Sequence, residues 1–387
     1  MVGAGSNSSG LMGSRTKDGK KRGKVQMGIH GKSSESSIDA GLRWLTKHQS
    51  PDGSWNAIKY YLNCTEGLKC EPGVGSAGNP DMAMTGYSLL CYLGYGYDHK
   101  TPNKYRKQVA NGINYMIRQQ TPEGLLGERN YEHAVASMAL FEAYAMTNDT
   151  ALIDPCKKAL RVILDRQSLS SEKEGYKTYL GWDYVNPHPN RIDFSVSGWC
   201  IMAIKSAYAA GLDVKTSMKD FDKLLITTWQ SANSNWKNIS PYDKSIFPYT
   251  INTTTSKTEK DHLSFVGGLC AVFLGHKSGD TMLDSMANDV KARWLDTKAY
   301  KHNMYALYYS SLLAFQTQIT WKDWRDEYVP YLVNSQINSE DCTNGTLKFE
   351  SQSFHGSNTS QVLRHTYALL SLEVAYRYTM IGANKTH

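Results

Sequence analysis

The sequence predicts an all-α protein, a closed ring of six helical hairpins, on three observations. Helical periodicity runs through most of the 387 residues, while the period-two alternation of strands is scarce. The helices alternate in character, an amphipathic one followed each time by one that is apolar nearly all round. The pairs recur at uneven spacing, unlike the regular period of an open solenoid. An (α/α)6 toroid accounts for all three. Its inner helices touch neighbours on every side, its outer helices meet water on one face, and closure removes the capping repeats that an open array needs.

The first outer helix is read in "SSIDAGLRWLTKHQ" (37–49), where Ile38, Leu42 and Leu45 share one face. "DMAMTGYSLLCYLG" (81–94) follows as its apolar, inner partner. The amphipathic "KYRKQVANGINYMIRQQ" (104–120) precedes the small, apolar "EHAVASMALFEAYAM" (132–146). In the same way 151–167 pairs with "DFSVSGWCIMAIKSAYAAG" (193–211), and 217–230 with "DHLSFVGGLCAVFLG" (261–275). The last two pairs are 280–295 with 302–316, and 320–336 with "QVLRHTYALLSLEVAYRY" (361–378).

The ring is expected over 36–380, with a short C-terminal tail at 381–387. The net charge of +7 sits largely before it: residues 1–34 carry seven basic side chains and one acid, Asp18. A basic, Gly/Ser-rich stretch with little apolar surface reads as a disordered tail or linker. The remaining body is nearly neutral and has no basic stripe interleaved with aromatics, which argues against nucleic-acid binding. No apolar run of about 18 residues is present, so no bilayer span is expected. Four of the seven cysteines (Cys91, Cys156, Cys200 and Cys270) lie within apolar helices and read as small buried hydrophobes. Cys64 and Cys70 share a loop and are the one pair in reach of a disulfide. With an odd count and no CxxC, no metal site and no cofactor are expected.

The stretch "HQSPDGSW" closes the first outer helix. Gly53 alone would end a helix, so Gln49 and Trp55 need another reason. Degenerate copies follow other outer helices: "QQTPEGLLG", "QSANSNW" and "QINSEDCTNGTLKF", with a lengthened turn between Gln167 and "GYKTYLGWDY". The expected role is structural. The glutamine bonds orphan backbone groups at a helix end, and the tryptophan packs beside the next outer helix.

Gln49, Gly53 and Trp55 fit Q-x-x-x-G-x-W, which resembles the repeat signature of squalene and oxidosqualene cyclases. Residues 36–380 are similar to the prenyltransferase and squalene-oxidase repeat family, an α/α toroid. The phrases "GLRWLTKHQSPDGSW", "DFSVSGWCIMAIKSA" and "LRHTYALLSLEVAYRY" look like planctomycete-type bacterial members, in which a membrane segment often precedes the toroid. The resemblance thus implies a soluble region of a larger membrane-anchored protein, taken here as a monomer.

In such a toroid the inner-helix starts converge on one mouth of a central cavity. They read Asp81, Glu132 with His133, Asp193, Asp261 with His262, His302, and Arg364 with His365. Gathered around one hollow, such groups would form acid/base pairs, with Tyr87, Trp199 and Tyr305 a turn deeper as an aromatic lining. The alternative is plain capping, since aspartates at helix starts satisfy backbone amides and complement the dipole. The family's chemistries leave no motif here. There is no DxDD, no Asp-x-Cys zinc motif, no thioester motif, and "DCTNG" (341–345) lies outside the inner helices. The reading is therefore a non-catalytic ligand-binding or scaffolding module with a hydrophobic, glycan or protein partner. Its alternatives are a cyclase-like enzyme with Asp193 as general acid, or a glycan-active toroid using paired carboxylates such as Asp193 with Asp81 or Glu132.

Overall fold

The computed structural model describes residues 12–73, 80–169, 180–185, 187, 190–214, 218–240, 242–252, 254–255, 258, 262–348 and 361–382. The outer helices are α2 (Gly31–Lys47), α4 (Arg106–Gln119), α6 (Ile153–Asp165), α8 (Lys219–Ala232), α10 (Thr281–Val290) and α12 (Trp321–Asn334). The inner ones are α3 (Asp81–Gly94), α5 (Asn130–Thr147), α7 (Phe194–Ala209), α9 (Ser264–Leu274), α11 (Met304–Thr317) and α13 (Gln361–Leu372). Around the centre α3 packs on α5, α5 on α7, α7 on α9, α9 on α11, α11 on α13, and α13 back on α3. The ring is closed, and α12 meets α2 at the seam. The fold is an all-α toroid.

The alternation of character has the expected cause. Every residue of α3 and of α11 is buried, whereas α4 buries Val109, Gly112, Ile113 and Met116 along one stripe. Ile38, Leu42 and Leu45 are all fully buried. Among the described residues no helix is long and apolar enough to cross a membrane.

The glutamines stitch neighbouring hairpins. The Gln49 side-chain amide donates to the carbonyl of Gly53 in its own turn (2.9 Å) and to that of Gln108 on the next outer helix, α4 (3.0 Å). Gln120 repeats this with Gly124 (3.0 Å) and Pro155 on α6 (3.1 Å). Gln336 does so with Gly345 (2.9 Å) and with Ser37 on α2 (2.8 Å), across the seam. Trp55 and Trp182 each donate an indole N–H, at 2.8 Å, to an outer-helix carbonyl four residues before the turn glutamine, Leu45 and Ile163. The fourth copy departs from the pattern: there Asn233, not Gln230, reaches the turn carbonyl of Ile246 (2.9 Å). Gly53 has φ of +96° and passes so close to Asn111 that a Cβ would sit 2.3 Å from its carbonyl oxygen. No other residue fits there.

The expected disorder of 1–34 does not hold for the described part. Lys17–Gln26 forms a helix, α1, capped by the Thr16 hydroxyl, which accepts from Gly19 N at 3.1 Å. Its glycines let it lie flush on the rest of the chain, since a Cβ at Gly23 would meet the Ala375 carbonyl oxygen at 2.7 Å. The expected last inner helix also breaks at Glu373, and a short turn of helix, α14 (Val374–Arg377), follows it.

Candidate functional site

Ahead of the inner helices α7 and α9 the chain forms a two-stranded ribbon. Strands β1 (Arg191–Asp193) and β2 (Thr250–Asn252) pair antiparallel, with Ile192 opposite Ile251. The ribbon places Asp193 at the N-cap of α7, where it accepts from Val196 N (3.1 Å) and the Ser195 hydroxyl (2.6 Å). Arg191 bridges two carboxylates, pairing with Asp183 and with Asp193 (3.2 Å). Burial holds the Asp193 carboxyl above its ordinary range, against these hydrogen bonds and the guanidinium. Beside it the half-buried Tyr184 and Tyr249 share a hydroxyl–hydroxyl hydrogen bond of 2.9 Å, and Tyr131 meets Tyr184 edge-on at 6.1 Å.

The other predicted residues do not gather around a hollow. Asp81 is buried and turned onto its own preceding loop, accepting from Asn56 Nδ2 (2.5 Å) and Ala57 N (2.9 Å). Glu132 closes a capping box, accepting from the N-cap amide of Arg129 (3.4 Å) and also from Glu128 N (2.9 Å). His133 faces outward, its Nδ1 accepting from Leu126 N (3.0 Å) and its Nε2 donating to Ala159 O on α6 (3.0 Å). His365 likewise bonds Gly41 O on α2 (3.1 Å) and lies against Trp44 at 4.5 Å. Arg364 is half-buried and donates to Gln361 (2.9 Å). His262 is half-buried just before α9, and His302 is exposed ahead of α11, whose cap is Asn303. Asp261 lies outside the described residues. "DCTNG" forms a loop in which Asp341 accepts from Thr343 N (2.8 Å).

The aromatic residues expected to line the centre do meet one another there. Trp199 on α7 reaches Tyr87 on α3 (5.3 Å), Tyr309 on α11 (5.2 Å) and Tyr367 on α13 (6.2 Å). Tyr305 packs on Tyr309 at 4.7 Å, and the Tyr87 and Tyr367 hydroxyls meet at 2.9 Å. Rings from four helices touch across the barrel, and all are buried.

At the opposite end, an ionic cluster that sequence reasoning missed closes the ring. Glu142 on α5 is fully buried between Arg15 (2.8 Å) and Arg377 (2.9 Å). Arg377 also reaches the Tyr308 hydroxyl (3.2 Å), and Arg15 donates to Arg377 O (3.3 Å). Burial would raise the Glu142 carboxyl, but the two guanidiniums hold it below its ordinary value. Glu373 is fully buried nearby, and burial holds it well above the carboxylate range. Arg15, Lys17, Lys20, Lys21 and Lys24 line a cleft of about 450 Å³ beside this cluster.

His133 carries a pH prediction. Burial lowers it to about 4, so the folded state keeps it neutral where the unfolded chain, at about 6.5, binds a proton. Its stabilisation is complete above pH 6.5 and is lost as pH falls toward 4, by about 3 kcal/mol. Urea midpoints measured at pH 7 and pH 4.5 are expected to converge in His133→Gln relative to wild type.

The fold also brings His48, Cys64 and Cys70 together, all buried, with ligand atoms within 4.8 Å of one another. All seven cysteines are free thiols, so the structure contains no Cys64–Cys70 disulfide. The sequence reading foresaw no metal ligands, because no short spacing links Cys64 or Cys70 with His48 and the distant Cys342.

No family model matches this chain. Over 99 residues it is 32% identical to a squalene–hopene cyclase of Bradyrhizobium diazoefficiens, a match spanning 23% of this chain and only 13% of that protein. In fold it is similar to an α-amylase from Clostridium perfringens, with a TM-score of 0.56 and 11% identity over 88% of this chain and 97% of that one. It is also similar to an inactive variant of the family 76 α-1,6-mannanase of Salegentibacter sp. HEL1_6 in complex with α-1,6-mannotriose (TM-score 0.54, 11% identity, 89% and 98% covered). A family 76 α-mannanase from Bacteroides thetaiotaomicron matches at TM-score 0.56 and 9% identity, over 92% and 98%. At these identities the structural likenesses speak to the fold, an α/α toroid.

Proposed function

We propose that this chain recognises a glycan at the mouth formed by the inner-helix starts. Tyr184 and Tyr249 serve as the sugar platform, and Asp183 with Arg191 supplies the polar contacts. The observation that carries this reading is the hydroxyl-paired Tyr184 and Tyr249 beside a shared Asp–Arg–Asp bridge. Sugar rings offer apolar C–H faces to aromatic rings and hydroxyls to carboxylates and guanidiniums, so a site for them needs both surfaces together. The mannanase neighbour bound to mannotriose supports the same choice of ligand class. A hydrophobic terpenoid ligand and cyclase chemistry are less well supported, because the cyclase match covers only 13% of that protein and the cyclase acid motif DxDD is absent from the sequence.

A second reading, glycan cleavage, is favoured by one feature. Asp183 and Asp193 share a guanidinium, and burial raises the Asp193 carboxyl toward the protonated form that a general acid needs. Against it, Asp193 is fully buried as a helix cap. Calorimetry with α-1,6-mannotetraose and mixed-linkage β-glucan oligosaccharides tests the proposal. Wild type is expected to bind one of them, and Tyr249→Ala to weaken that binding about tenfold or more. No binding by any oligosaccharide would end the glycan reading. Release of reducing sugar that Asp183→Asn abolishes, with binding retained, would establish cleavage over simple recognition.

A further inference from the structure

The His48, Cys64 and Cys70 group is separate from the mouth and lies at the seam where the ring closes. His48 caps α2 at its C-terminal end, and Cys64 and Cys70 sit in the loop between α2 and α3. Cys342, in the loop between α12 and α13, comes from the last hairpin. The Cys70 thiol faces the Cys342 carbonyl at 3.5 Å, while the Cys342 sulfur stands outside the group of three ligand atoms that lie within 4.8 Å of one another. All four side chains are buried.

Their atoms are arranged as ligands are. His48 Nδ1 bonds the Trp44 carbonyl at 2.7 Å, which places the proton on Nδ1 and leaves a lone pair on Nε2. That lone pair faces two sulfurs, Cys64 Sγ at 3.2 Å and Cys70 Sγ at 3.3 Å. One lone pair accepts from only one S–H; Cys70 has the Cys342 carbonyl as its other acceptor, at a long 3.5 Å. A tetrahedral zinc with Zn–S of about 2.3 Å and Zn–N of about 2.0 Å sets its ligand atoms about 3.5 to 3.8 Å apart. The two His48–sulfur separations are within a few tenths of an ångström of that, and all three ligand atoms lie within 4.8 Å of one another. Backbone amides also point at the sulfurs, Cys70 N at Cys64 Sγ (3.3 Å) and Glu66 N at Cys342 Sγ (3.3 Å). Such N–H···S contacts favour thiolate over thiol, as outer-shell partners of a metal site do. The His48 ring is held by Trp44, stacked on it at 4.2 Å.

We propose that His48, Cys64 and Cys70 form the preassembled part of a structural zinc site, and that the neighbouring Cys342 swings in as fourth ligand, clamping the first hairpin to the last. Soft thiolates with one imidazole select zinc over calcium or magnesium, and four protein ligands leave no open position for catalysis. Binding releases the three thiol protons and leaves a neutral imidazole, so occupancy falls in acid. The clamp supplements the contacts that already cross the seam, Gln336 to Ser37 (2.8 Å) and Cys342 N to the Glu66 carbonyl (3.2 Å).

The test is metal analysis of the full chain purified without chelator. Wild type is expected to carry about one zinc per chain, and Cys64→Ser and Cys342→Ser to lose it. Cys156→Ser, altered in a buried cysteine elsewhere, should keep it. Because the seam variants can fail to fold, cobalt-loaded wild type provides an independent readout: intense tetrahedral d–d bands with thiolate-to-cobalt charge transfer. Wild type that takes up no zinc, a weak octahedral cobalt spectrum, or a Cys64–Cys70 disulfide in non-reduced peptides would overturn the proposal. Full zinc content in a folded Cys342→Ser would overturn the clamp across the seam.

Discussion

Glu142→Ala is expected to lower stability by about 3–5 kcal/mol, the usual cost of removing one partner from a buried ion pair. The carboxylate stands between two guanidiniums that are themselves out of reach of water. Its loss leaves two like charges facing each other with no counter-ion, while the remaining buried acid, Glu373, is held toward its neutral form. Urea denaturation at pH 7 gives the magnitude. A second signature is local: Arg15 anchors the N-terminal segment, so Glu142→Ala should speed tryptic cleavage within α1, at Lys17, Lys20 or Lys21. If charge imbalance is the cause, Glu142→Ala combined with Arg15→Met should recover part of the loss. The pH dependence has a definite sign. The Glu142 carboxyl is depressed in the folded state, so its stabilisation is present above the ordinary carboxylate range and disappears as pH falls below it.

Trp199→Ala is expected to be as damaging, about 3–5 kcal/mol, for a different reason. The indole is the hub on which rings from α3, α11 and α13 converge at 5.2–6.2 Å, including Tyr308 stacked at 6.0 Å. Deleting it removes dispersion contacts on several sides and leaves a void that neighbours on rigid helices cannot all collapse into. The same variant separates two views of the ring centre. If Trp199 is core, stability falls and oligosaccharide affinity at the ribbon changes little. If it lines a binding cavity, affinity falls while the urea midpoint stays near wild type.

The hairpin order could be read from the chain because burial imposes it. A helix surrounded by helices must be apolar all round, as α3 and α11 are, and one facing water must carry a stripe, as α4 does. The turn glutamines were legible for a similar reason, since each meets a local need of the backbone. The site was less legible. Acids and histidines do open the inner helices, but a helix start also needs caps, and Asp81, Glu132 and Asp193 meet that need. His133 and His365 turn to the outer helices, which their position in the sequence does not disclose. Residues 12–26 look like a solvated tail by composition. The contrary signal was the pair Gly19 and Gly23, one turn apart, where a helix lies against backbone. Cys342 and the Arg15–Glu142 pair depend on ring closure, which joins residues 272 and 127 positions from their partners.

Hydrogen–deuterium exchange with and without the tightest-binding oligosaccharide tests the central claim about function most directly. Protection is expected at 180–185 and 247–252, the segments that carry Asp183, Tyr184 and Tyr249. Protection confined to the opposite end, around Arg15 to Lys24 and Glu373 to Arg377, or none at saturating sugar, would contradict it.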